Sequence, residues 1–200
     1  MLKSVLLFIT FFFLLWLSPK YLTTKAEGEL SAQQDEKSGT ISIIREDTKE
    51  TILVQNAGEN FRPYIHPIAA PDGKGVLTEF SPEHHKHQTG LYWGLTSVNG
   101  RNYFQNPGNN HWKRVAARII EKSGSTVKWQ TVYDLLDDKG ASVMTETQNW
   151  SMQHEGGRFV LSLEWKGEAK TDVTVGKYPY GGLFLRMPWK EGMDAEVINA

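Results

Sequence analysis

Apolar and polar positions along the chain fall into two regimes. From Val5 to Leu17 the residues are apolar with one exception, Thr10, and Pro19-Lys20 ends the run. Beyond it the apolar positions alternate. Ile41 and Ile43, then Ile52 and Val54, occupy every second place in two short runs separated by the polar segment Arg45–Glu50. Val127, Trp129, Thr131 and Tyr133 alternate with more polar neighbours, as do Phe159, Leu161, Leu163 and Trp165. A period of two in β-branched and aromatic residues is the pattern of strands with one buried face. Gly124-Ser125, Lys139-Gly140, Gly156-Gly157 and Gly181-Gly182 punctuate it at spacings suited to antiparallel meanders. No amphipathic helix longer than two turns is legible. The pattern predicts an all-β antiparallel β-sandwich over residues 40–200, joined mostly by hairpins.

The N-terminal run reads as an export signal. Lys3 gives a positive start, and an apolar stretch of about 7–15 residues followed by a small-residue exit is the secretory pattern. A membrane-spanning helix needs about 20 apolar residues, more than Val5–Leu17 offers. Residues 1–26 are therefore expected to be a signal peptide cut after Ala26, with Thr24 at the −3 position; retention as an uncleaved anchor is the other outcome. Residues 27–39 are polar and without apolar period, and are expected to be a flexible leader. The expected location is the periplasm or the exterior, with no membrane contact beyond the signal.

Cysteine is absent, so no disulfide staples the domain and no lipid is attached to a cysteine. Loss of residues 1–26 removes three lysines from the 22 basic residues and none of the 23 acidic ones, leaving a net charge of −4. Nucleic acid is thereby excluded as the expected partner, since phosphate binding needs a basic surface. Seven tryptophans serve a core and equally serve stacking on sugar rings.

Candidate chemistry concentrates between Pro63 and His111, where five of the six histidines lie amid proline, glycine and asparagine. Long irregular segments on a rigid scaffold carry binding residues. The densest cluster is Ser81-Pro82-Glu83-His84-His85-Lys86-His87-Gln88-Thr89-Gly90. In an extended segment His85 and His87 point to one side. Two such imidazoles can share a divalent metal, with His66 and His111 as further ligands, or hold one substrate group between them, or belong to a solvated loop. Glu83 is the nearest carboxylate for acid–base work, with Asp72 and Glu79 as others. Within the cluster Gln88 directly follows His87. Tyr92 and Trp93 point to opposite faces of a strand, one into the core and the other available to floor a ring-shaped ligand. Asn99-Gly100 is a hairpin signal. Tyr180 sits in a rigid aromatic turn, and Arg186 among apolar neighbours needs a carboxylate partner if it points inward. Serine-nucleophile, P-loop and dinucleotide motifs are missing.

Four of these stretches, Arg62–Pro67, Pro71-Asp72-Gly73, His85–Trp93 and Val98-Asn99-Gly100, together with Tyr180–Leu183 and Arg186, resemble a bacterial exported family labelled PmoA, or "methane oxygenase PmoA". The resemblance covers roughly residues 60–190. It implies a histidine-rich site, and a chain running further than this one, so that a C-terminally truncated, supersandwich-like fold is expected. Here His84 stands where that family has an acidic residue before the first histidine, and Lys86 where it has proline. No segment after Leu17 could span a membrane as a helix, which argues against methane oxidation. The expected function is carbohydrate or glycoside handling in a histidine-rich cleft. His85, His87 and Glu83 would do proton transfer, and Gln88, Tyr92, Trp93, Tyr180 and Arg186 would bind. The alternatives are a non-catalytic sugar-binding module and a metal-dependent oxygenase or hydrolase.

Overall fold

Alternating apolar residues become the two faces of a β-sandwich in a computed structural model that describes residues 28–105, 108, 110–155 and 157–192. The expected signal peptide lies outside the described residues. Among the described residues eleven strands run in order: β1 (Leu30–Asp35), β2 (Thr40–Arg45), β3 (Thr51–Asn56), β4 (Tyr64–Ile68), β5 (Leu91–Gly94), β6 (Trp112–Glu121), β7 (Ser123–Gly124), β8 (Thr126–Leu136), β9 (Ser142–Glu155), β10 (Arg158–Ala169) and β11 (Gly182–Leu185). They form a seven-stranded sheet in the order β11-β5-β4-β3-β2-β1-β7 and a four-stranded sheet in the order β10-β9-β8-β6. Every pairing between them is antiparallel. No described helix is long and apolar enough to cross a membrane.

Inward side chains of the two sheets make one apolar core. Leu30, Ile41, Ile43, Leu53, Ile65 and Leu91 from the large sheet meet Val127, Trp129, Trp150 and Met152 from the small one. Trp129 and Trp150 stack at 6.3 Å and 11°. A second cluster, Val98, Tyr103, Trp112, Tyr133, Leu135 and Met144, closes the end where the long loop after β5 folds back.

Two expectations are corrected. Residues 27–39 are not simply a leader: Leu30–Asp35 is β1, hydrogen-bonded along its length to β2, and Leu30 and Ala32 are fully buried. Only two apolar residues anchor this strand, which is too few to show a period. The alternation of Ile52 with Val54 also fails. Register shifts against both neighbouring strands interrupt β3, so Ile52 and Leu53 are both buried while Val54 is half-buried. A bulge of this kind breaks the period of two.

Candidate active site: a histidine and aromatic pocket

The segment Ser81–Gly90 is not extended. Successive turns fold it, with the His85 amide donating to the Pro82 carbonyl (2.8 Å) and the Gln88 amide donating to the His85 carbonyl (2.9 Å). The two imidazoles nonetheless stay together, their ring centroids 5.9 Å apart. Gly90 fixes where this loop enters β5. Its φ is +90°, and a Cβ there would stand 2.4 Å from the Ile65 carbonyl oxygen. Only glycine permits that approach to β4.

His85 and His87 line a pocket of about 380 Å³ with Gln88, Phe104, Gln105, Tyr180 and Phe184. Phe184 arrives on β11, which pairs with β5 so that Phe184 faces Tyr92 in register. Phe104 stands 5.1 Å from Tyr180 and 5.5 Å from Phe184, centroid to centroid. Gln105 Nε2 donates to the Tyr180 hydroxyl at 3.4 Å, and Thr96 holds the Tyr180 carbonyl at 2.8 Å. The wall is thus half aromatic and half polar, a composition suited to a small organic ligand.

Beneath the pocket lies a buried cation. Arg62 is 1% exposed, and its guanidinium carbon stands 3.5 Å from the centroid of the Tyr92 ring. It donates to the carbonyls of His87 (2.8 Å) and Phe104 and to the Thr89 hydroxyl (3.2 Å). Burial lowers its pKa to about 10, so it remains a cation at neutral pH. The imidazole of His87 lies below its ordinary pKa, first because burial penalises the charged ring and then because Arg62 and His85 are near. Neutral His87 can accept a proton.

At the rim Arg186 donates through Nε to Glu79 (2.7 Å) and through Nη1 to Gln88 (3.1 Å), with His84 Nε2 at 3.4 Å from Nη2. The carboxylate partner required by an arginine in this setting is therefore Glu79. Arg186 positions Gln88, which lines the pocket.

The remaining expected residues separate from this group. Glu83 is exposed in the turn and is not among the pocket residues. Tyr92 is fully buried between Arg62, Phe104 and Phe184, and Trp93 turns to the other face to stack on Trp165 at 5.1 Å. Neither floors an open site, because β11 and the loop carrying Phe104 cover one face and β10 the other. The ligand set His85, His87, His66 and His111 is not assembled. His66 Nδ1 meets the Thr78 hydroxyl at 2.8 Å and its ring packs on Phe80, while His111 is buried edge-on against Tyr103 beside Arg101. Among the described residues no three histidine or carboxylate side chains converge to hold a metal ion.

Phe104, Gln105 and Phe184 carry no sequence signal of their own: the pairing of β11 with β5 brings in Phe184, and the folding of the loop after β5 back onto Gly94 and Arg62 brings in Phe104 and Gln105. Glu146 is likewise silent. It is buried in the core, where Trp165 Nε1 (2.7 Å) and Gln148 Nε2 (2.6 Å) donate to it, and burial raises its pKa to about 7.

Fold and pocket together define an all-β sandwich protein with a ligand-sized histidine and aromatic site at one end of its larger sheet. The chain belongs to the family of unknown function DUF6807, which it matches over residues 45–200. No curated protein and no solved structure matches it.

Proposed function

We propose that this is an exported protein that handles a carbohydrate or glycoside in the His85–His87 pocket. The observation that carries this reading is the composition of the pocket wall. Two imidazoles, two carboxamides and a phenol stand beside the rings of Phe104 and Phe184. Aromatic faces take the apolar face of a pyranose, and amides and imidazoles take its hydroxyls. Neutral His87 is the proton acceptor in the catalytic form of the reading. Export rests on the apolar run Val5–Leu17 behind Lys3.

A second reading is favoured by one specific fact: among the described residues no carboxylate lines the pocket. Retaining and inverting glycoside hydrolysis ordinarily uses two carboxylates, so a non-catalytic sugar-binding module fits the same wall. Ligand-detected NMR against a panel of neutral mono- and disaccharides, run on the wild type, Phe184→Ala and His87→Ala, tests both. Loss of binding in Phe184→Ala supports the pocket. Binding without turnover in His87→Ala supports catalysis, and turnover in neither protein supports the binding module. No saccharide bound by the wild type would overturn both.

A further inference from the structure

Arg62 is a buried cation whose hydrogen bonds go to neutral groups alone. They reach the carbonyls of His87 (2.8 Å) and Phe104 and the Thr89 hydroxyl (3.2 Å). Its Nε is buried without a partner. Among the described residues no carboxylate forms an ion pair with it. The groups that hold it come from the stretch Arg62–Phe104, well inside the chain, and at 1% exposure no later segment can reach it.

Buried charges are ordinarily paired, because an unpaired one is costly in a medium of low dielectric. The field of this one falls on the pocket, since two of the carbonyls it holds belong to His87 and Phe104, both in the wall. The His87 imidazole registers that field: after burial, Arg62 is the next cause that disfavours its cation.

The wall is arranged for the same sign. Arg186 Nη1 donates to Gln88 Oε1 at 3.1 Å, which leaves the Gln88 amide nitrogen to donate to a ligand. The carboxylate that pairs with Arg186, Glu79, is not among the lining residues. His85 and His87 add two imidazoles that can donate.

We propose, on the reading of the pocket as a sugar site, that it selects an acidic sugar: a uronic acid residue over its neutral counterpart. The carboxylate is held by Gln88 and the imidazoles, above the Arg62 charge, and supplies the counter-charge that Arg62 lacks within the chain. Neutral sugars meet the same rings and amides without that attraction and bind more weakly.

Ligand-observed NMR on the full chain compares glucuronate with glucose, and galacturonate with galactose. Each uronate should bind about tenfold tighter or more than its neutral partner, and the gap should narrow as salt rises. Uronate should move the titration of the His87 ring upward, because a nearby carboxylate favours imidazolium, and neutral sugar should not. Gln88→Glu sets a carboxylate against Arg186, so it should fold like the wild type, lose the gap and still bind the neutral sugars. Glu79→Gln removes the counter-charge of Arg186 and should widen the gap. Equal binding of uronate and neutral sugar, or a gap unchanged in Gln88→Glu, would overturn the proposal and leave the sugar site standing. Acetate moving the His87 titration as far as glucuronate at equal concentration would also overturn it, in favour of a site for carboxylates in general. Binding of no saccharide, neutral or acidic, would overturn the sugar reading and the proposal with it.

Discussion

The guanidinium carbon of Arg62 lies 3.5 Å from the centre of the Tyr92 ring, and the same side chain donates to the carbonyls of His87 and Phe104. One buried residue thus ties the Tyr92 ring on β5 to two walls of the pocket, which come from separate loops. Arg62→Met should cost about 2–4 kcal/mol, because it leaves buried carbonyls unpaired and removes the cation from the ring face. Chemical denaturation measures the loss. Arg62→Lys should restore only part of it, since a point charge cannot reproduce the fork.

The pH dependence of stability should carry the mark of Glu146. Its folded pKa is raised from 4.5 to about 7 by burial, so the folded state holds a proton that the unfolded state has released. Between these values the folded chain binds more protons than the unfolded one, and stability falls as pH rises. Above about pH 7 the penalty is complete and the curve from this group is flat. Subtracting the denaturation free energies of Glu146→Gln from those of the wild type, across pH 4–8, should isolate that slope. A difference constant across the range would contradict the assignment.

How far these features could be read in the chain depended on whether a residue's neighbours in space were its neighbours in sequence. β2, β8 and β10 follow from local alternation, and the all-β class follows from them. Asn99-Gly100 makes its turn as expected, with φ of 50° and 79° and a bridge between Val98 and Arg101. β9 escapes such reading because its inward positions include Glu146 and Gln148, both buried, which look like surface residues in a sequence. The pocket was legible in part. His85, His87, Gln88 and Tyr180 stand together, whereas Tyr92 and Trp93 look like stacking platforms only until β11 and β10 cover them.

Substitutions at that aromatic pair should therefore affect stability and leave the pocket intact. Tyr92 Oη is buried without a hydrogen-bond partner, so Tyr92→Phe should hold or raise stability by about 1 kcal/mol. Trp93→Ala should lower it by about 2–4 kcal/mol through loss of the stack on Trp165. Thermal unfolding separates these outcomes, and ligand affinity should move little in either variant.

His87 should titrate below the ordinary imidazole range, because burial and the neighbouring Arg62 disfavour its cation. An NMR titration of its ring C–H signals checks this. Any turnover that uses His87 as a base should persist to acid of pH 6.5 and then decline. In Arg62→Met the titration should move upward, since one source of the depression is gone.

A glycan-array screen of the wild type beside Phe184→Ala and the control Trp189→Ala tests most directly whether the pocket is a sugar site. Trp189 is 56% exposed and is not among the residues lining the pocket. The prediction is that the wild type and Trp189→Ala bind the same subset of glycans and that Phe184→Ala loses it. No glycan bound, or the same glycans bound equally by Phe184→Ala, would contradict the account.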